Sequence, residues 1–222
     1  MSSYFQQVPN FEYPNATKDG KNISDYSEVK NLFKRGKLRE DIFGNLAFFT
    51  KYQIIGDERP DNVAYKRYDD ETLDWLVLIA NNIVNIQTEW PMTQHSYHEF
   101  LLDKYGSEEA LSDIHHYETI KVENSSGATI VPEGLTVTQN YSVEHYDYSS
   151  NTLISATNIT TAITNKVYED RIQDAKRNIF LLKPDYINVV LNDMKGMMKY
   201  KKGGTQYVSP TLKRADNIRL FQ

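Results

Sequence analysis

The stretch Asp57–Pro91, DERPDNVAYKRYDDETLDWLVLIANNIVNIQTEWP, constrains this chain most. It predicts two short helices packed against each other. Pro60 suits a first helical position, where its missing N–H costs nothing. Asp57, Glu58 and Asp61 place negative charge near that start, where the helix dipole favours it. Val63, Ala64, Arg67 and Tyr68 follow at helical spacing, and Tyr68–Asp69–Asp70 breaks the run. Asp69 or Asp70 can cap the second helix. That helix carries Leu73, Trp75, Leu76, Val77, Leu78, Ile79 and Ala80, apolar nearly all round, which predicts burial. Asn81–Asn82 closes it, because Asn tolerates the left-handed conformation at helix ends.

Around this centre the chain divides by character. Residues 1–26 predict an extended N-terminal arm, punctuated by Pro9 and Pro14, whose Tyr4, Phe5, Phe11 and Tyr13 need a surface to lie on. From Ser27, SEVKNLFKRGKLREDIFGN predicts helix, with stripes at Val29, Leu32, Phe33 and at Leu38, Ile42, Phe43, and a kink or break at Gly36. Phe49–Ile55, aromatic and β-branched, predicts a strand feeding the central pair. Thr93 caps a helix over 94–105, and Gly106 stops it. Residues 27–106 thus form one expected domain.

Residues 107–156 predict a β-rich insertion. Its turns fall at Asn124–Ser125–Ser126–Gly127 and Glu133–Gly134, and Pro132 confines its run to an edge. Residues 157–200 predict a C-terminal helical hairpin. Its first helix, about 158–183, is a bundle-like seam with Tyr168, Ile172, Ala175, Ile179 and Leu182 spaced four, three, four and three. After Pro184–Asp185 a second helix carries Ile187, Val190, Leu191, Met194, Met197 and Met198 on one face. Residues 201–222 read as a basic, flexible docking tail, hinged at Gly203–Gly204 and anchored by Tyr207–Val208 and Leu220–Phe221. The expected fold class is α+β.

Composition limits the chemistry. Cysteine is absent, which removes disulfides, thiolate metal sites and cysteine nucleophiles. A net charge of −5 does not draw nucleic acid. No apolar run has the length to span a bilayer, and MSSYFQQVPNFEYP lacks a secretory n-region and h-region. Without a secretory signal, the N-x-S/T triplets at Asn15, Asn22, Asn124, Asn140 and Asn158 are chance matches. His95, His98, His115, His116 and His145 have no HExxH among them, and polar surface or packing explains them better than a metal. The acids near the central pair are already explained by helix capping. There is no G-x-S-x-G, P-loop or dinucleotide fingerprint. The chain is expected to have no catalytic residue, no metal and no cofactor. Its 16 tyrosines fit interfaces and ordinary packing with sampling variation equally well on composition alone.

The order strand, Gly56–Asp57, helix, break, helix, Asn81–Asn82 resembles a LysM-type unit, a small β-α-α-β fold. Tyr52–Asp57 stands for its opening, Val63, Ala64, Tyr65 and Tyr68 for its first helix, and Leu76–Asn82 for its second. A fuller resemblance is to the baseplate wedge protein of T-even-type contractile-tailed phages, the gene product fifty-three family. The residues that carry it are Arg59, Pro60, Asp61, Val63, Ala64 and Tyr68, then Trp75, Val77, Leu78 and Asn81, then Trp90–Pro91. It extends upstream through Ser27–Thr50 and resumes at Tyr168–Met198.

This resemblance implies a non-enzymatic structural subunit of the virion tail baseplate. Such a subunit is assembled in the host cytoplasm, in several copies, and has no nucleic-acid or membrane partner. It would join other wedge subunits and neighbouring wedges around the tube and hub. The LysM unit would act as a packing module, and the expected interface residues are Tyr4, Phe5, Phe11, Tyr13, Tyr168, Ile172, Ile179, Leu182, Leu220 and Phe221. Ile179→Asp is then expected to block co-assembly and leave the core folded. The alternative is a LysM module binding peptidoglycan or chitin. A hydrolase using acidic residues has no motif behind it.

Overall fold

The computed structural model describes residues 3–16, 23–203 and 206–214. Two compact units divide the chain: unit 1 takes residues 1–90 and 178–222, and unit 2 takes 91–177. Unit 1 begins with α1 (Tyr4–Gln7), β1 (Asn10–Ala16), β2 (Ile23–Lys30), α2 (Glu40–Phe43), β3 (Phe49–Gln53), α3 (Pro60–Tyr68), α4 (Asp74–Ala80) and α5 (Ile86–Glu89). Unit 2 runs from α6 (Gln94–Tyr105) through β4 (Ile114–Thr119), β5 (Val122–Glu123), β6 (Thr129–Val131) and β7 (Thr136–Val137). It continues with β8 (Val143–Asp147), β9 (Thr152–Ala156), β10 (Thr160–Thr164) and α7 (Asn165–Lys176). Unit 1 is completed by β11 (Asn178–Leu182), α8 (Ile187–Met198), β12 (Tyr207–Ser209) and β13 (Leu212–Arg214).

The centre of unit 1 follows the residue chemistry. Pro60 opens α3, and Asp69 ends it in the left-handed conformation at φ 57°. Asp70 accepts from the Thr72 amide and starts the turn that leads into α4. Val63, Ala64, Leu76 and Val77 are fully enclosed, as a helix pair apolar on its inner faces requires. β3 does not stand alone: β11 pairs with it antiparallel, Asn178 opposite Gln53 through Leu182 opposite Phe49. Strand, helix, helix and strand therefore close a β-α-α-β arrangement whose last member arrives only after unit 2. Ile179, Leu181, Leu182, Val190, Met194 and Met198 join the same core.

Three sequence expectations are corrected here. Ser27–Asn45 is not a helix: β2 continues to Lys30 in register with β1, Val29 facing Phe11, and only Glu40–Phe43 is helical. Gly36 marks a close approach, since a Cβ there would lie 2.0 Å from Met194 Sδ. Residues 158–183 do not form one helix. The β-branched run Thr160–Thr164 is a strand, Thr164 caps α7 by accepting from Val167 N, and a second strand begins at Asn178. The expected helical hairpin is therefore α8 alone in unit 1, with α7 belonging to unit 2. The arm and tail also pair with each other. β13 runs parallel to β1 and carries β12, giving the sheet order β12-β13-β1-β2.

In unit 2, Thr93 caps α6 by accepting from Ser96 N, and Gly106 ends it at φ 83°. Helix α7 turns a polar stripe inward. Glu169 is buried and its Oε1 accepts from Lys104 Nζ at 2.6 Å and Tyr105 Oη at 2.9 Å. Gln173, also buried, accepts from Met92 N. Tyr97 Oη donates to Asp170 at 2.8 Å, and burial followed by that carboxylate raises the phenol's pKa. Strands β4, β7 and β10 form one sheet, and β5–β6 and β8–β9 are separate hairpins.

Candidate assembly interface

The surface that calls for a partner in unit 1 lies beside α4. Tyr4 and Phe5 of α1, Leu32, Trp75, Ile79 and Val84 line a groove of about 480 Å³. Tyr4 is fixed at its floor: its hydroxyl accepts from Gly36 N at 3.2 Å, and its ring centroid sits 5.9 Å from that of Trp75. A second hollow of about 440 Å³ shares Arg35 and Ile79 with the first and adds Leu38 and Phe43. Beside them Leu32 is 70% exposed and Phe33 fully exposed, with Val84 at 67%. Lone exposed apolar residues are ordinary, but a cluster around a groove marks an interaction surface.

Cations edge this surface. Lys34 Nζ donates to the carbonyls of Met198 at 2.9 Å and Lys199 at 2.8 Å and lies 4.8 Å over the Tyr200 ring. Burial, and then the nearby Lys213, lower its pKa. Arg35 lines both hollows. Asp74, at the first turn of α4, has its carboxyl pKa raised by burial and then by Asp61. Such a site can hold apolar side chains against α4. Among the described residues no group of three or more His, Asp and Glu could hold a metal ion, and no helix is long and apolar enough to cross a membrane.

The expected interface residues fall in different settings. Tyr4 and Phe5 line the groove. Phe11 is half-buried in β1, and Tyr13 is 45% exposed. Tyr168 is half-buried and stacks on His115, ring centroids 4.0 Å apart at 10°, while Ile172 lies on the outer side of α7. Ile179 and Leu182 are core residues of β11, at 4% and 0% exposure, so they offer nothing to a partner. The expectation that Ile179→Asp spares the fold is overturned by that placement. Leu220 and Phe221 lie outside the described residues. The seam Tyr168–Leu182 is thus split between units, because the period-four pattern runs across a helix end and into a strand.

Leu32 and Phe33, expected on a helical stripe, lie outside any helix. Their neighbours Lys30, Lys34 and Arg35 were the available signal, since an apolar pair inside a cationic run has no inner face to join.

The groove beside α4 and the exposed aromatics next to it give unit 1 an apolar surface of the kind that partner proteins cover. The comparison with family models agrees: residues 5–128 match the model of base plate wedge protein 53, and the chain belongs to that family. It is a structural component of the phage tail baseplate, made to contact other baseplate components. The match stops before the Tyr168–Met198 segment and includes the first strands of unit 2. A search of the curated proteins found no match.

Proposed function

We propose that this protein joins wedge components to one another and to neighbouring wedges around the tube and hub of a contractile tail. It is assembled there in several copies from the host cytoplasm and carries out no catalysis. The supporting observation is the exposure of Leu32 and Phe33 beside the Tyr4–Trp75 groove. Covering two such side chains contributes about 2–3 kcal/mol each, which is ample when many contacts close one assembly. The test is the double variant Leu32→Asp/Phe33→Asp. It should keep native tryptophan fluorescence and fail to co-purify with the other wedge components. Normal incorporation of the double variant would count against this surface.

A second reading, a LysM-type module taking peptidoglycan or chitin, draws on the β3-α3-α4-β11 order. Retention on insoluble cell wall, competed by soluble N-acetylglucosamine oligomers, would favour it. In the leading reading the same arrangement is a packing module and shows no such retention.

A further inference from the structure

Among the described residues the two-stranded β8–β9 hairpin of unit 2 leaves both of its edges unpaired; β8 carries the charges Glu144 and Asp147, and β9 is the unguarded edge. Among the described residues β9 pairs with β8 alone. Open edges are usually guarded by charge, proline or a bulge. Strand β9, Thr152-Leu153-Ile154-Ser155-Ala156, has neither a charge nor a proline, and its pairing runs without a register shift. Both of its faces reach solvent: Leu153 is 65% exposed and Ile154 39%, although they point to opposite sides. The apolar character continues across β8, where Tyr146 stands beside Leu153, and into Tyr148, which is 88% exposed. A two-stranded ribbon of this kind is marginal by itself.

We propose that β9 pairs antiparallel with β9 of a second copy of this chain, centred on Ile154 opposite Ile154, making a four-stranded sheet across a two-fold axis. The side-chain rows decide the occupant. On one face the row across the four strands reads Tyr146, Leu153, then Ser155 and Glu144 from the second copy; its two-fold mate reads the same in reverse. The two Glu144 carboxylates thus end at opposite outer corners, about 14 Å or more apart, three strand spacings away. On the other face the two Ile154 side chains meet at the centre, with a His145 outside each. No like charges are brought together, and the open backbone groups of β9 gain about four to six hydrogen bonds. A two-fold contact uses the β9 edge of each copy once, and the β8 edges left outside carry Glu144 and Asp147, so it closes at a dimer. This concerns the free chain and a surface of unit 2, so it stands or falls separately from the wedge-joining reading.

Sedimentation velocity of the full chain tests it. The wild type should shift from monomer to dimer as concentration rises. Ile154→Lys and Ile154→Asp should each be monomeric, because each places like charges opposite one another, and mixing the two should restore the dimer. Only direct 154-to-154 pairing gives that rescue, and a misfolded variant would not show it. The chain has no cysteine, so Ile154→Cys gives an unambiguous cross-link. Opposed residues have Cα atoms about 4.5–5.5 Å apart, within disulfide reach. Mild oxidation should therefore yield a covalent dimer. A wild type that stays monomeric throughout, a dimer that survives Ile154→Lys, or an Ile154→Cys chain that does not cross-link overturns the proposal. Binding of an added extended peptide at β9 by an otherwise monomeric chain overturns it too, since the edge then serves a different partner.

Discussion

Asn81 holds Phe180 by both of its backbone groups. The Asn81 side chain accepts from Phe180 N at 2.7 Å and donates to Phe180 O at 2.9 Å, while also donating to Val77 O at 2.8 Å. An amide side chain here does the work of a neighbouring strand. It satisfies the outer edge of β11 and ties the end of α4 to it, across 99 residues of sequence.

Replacing Asn81 with Leu should therefore loosen the whole of unit 1. The loss is about 2–3 kcal/mol, because two backbone groups lose their partner along with the helix-end bond. Urea unfolding followed by tryptophan fluorescence reads this directly, since Trp75 and Trp90 both lie in the unit 1 core. Unchanged stability would mean that solvent replaces the clasp without cost.

Ile179→Asp should abolish folding of unit 1 rather than only assembly. Ile179 is 4% exposed, faces Tyr52 across the strand pair and belongs to the core. An unpaired carboxylate there costs about 4 kcal/mol or more, a large part of a domain's stability. The milder Ile179→Val should cost about 1 kcal/mol and remain soluble. Solubility and near-ultraviolet circular dichroism separate these outcomes.

Gly36→Ala should also destabilise unit 1, by about 1–3 kcal/mol through overpacking. The added methyl would meet the Met194 thioether, which is itself fully buried and has no solvent to retreat into. Combining it with Met194→Val, which shortens the opposing side chain, should recover part of the loss. Thermal melts of the single and double variants check this.

Acid should release one contact in unit 2. Asp147, at the end of β8, accepts from the hydroxyls of Ser125, Ser149 and Ser150. Those bonds hold its pKa down to about 2. A carboxyl held below its unfolded value stabilises above that value and loses the contribution as pH falls through the folded one. The loss should appear between about pH 4 and pH 2. Amide exchange in the Ser125 and Ser149 turns should rise over that range, and Asp147→Asn should flatten the response.

What the sequence disclosed follows from how local each signal is. The helix pair was readable because proline, aspartate caps and an apolar run agree within a few residues of one another. The same is true of α6, bounded by Thr93 and Gly106, and of the turns at Asn124–Gly127 and Glu133–Gly134. The closing strand was not readable. Ile179 and Leu182 continue a helical period by coincidence, and only pairing with distant Phe49–Gln53 makes them a strand. The inward face of α7 was hidden for a related reason. Apolar spacing points to Tyr168 and Ile172, whereas the helix buries Glu169 and Gln173, whose partners Lys104, Tyr105 and Met92 lie far upstream. The groove is half legible in the sequence: Tyr4 and Phe5 stand out as aromatics that need a surface, whereas the spacing of Leu32 and Phe33 reads as helix.

The position of β11 also sets an order of events during synthesis. β3 leaves the ribosome early, yet the strand that completes its sheet is translated only after all of residues 91–177. Unit 2 has every strand and helix it needs while unit 1 still exposes the Phe49–Gln53 edge and the underside of its helix pair. A released chain truncated after Arg177 should therefore protect the later unit from protease while residues 1–90 stay cleavable, reversing the usual amino-to-carboxyl sequence of maturation.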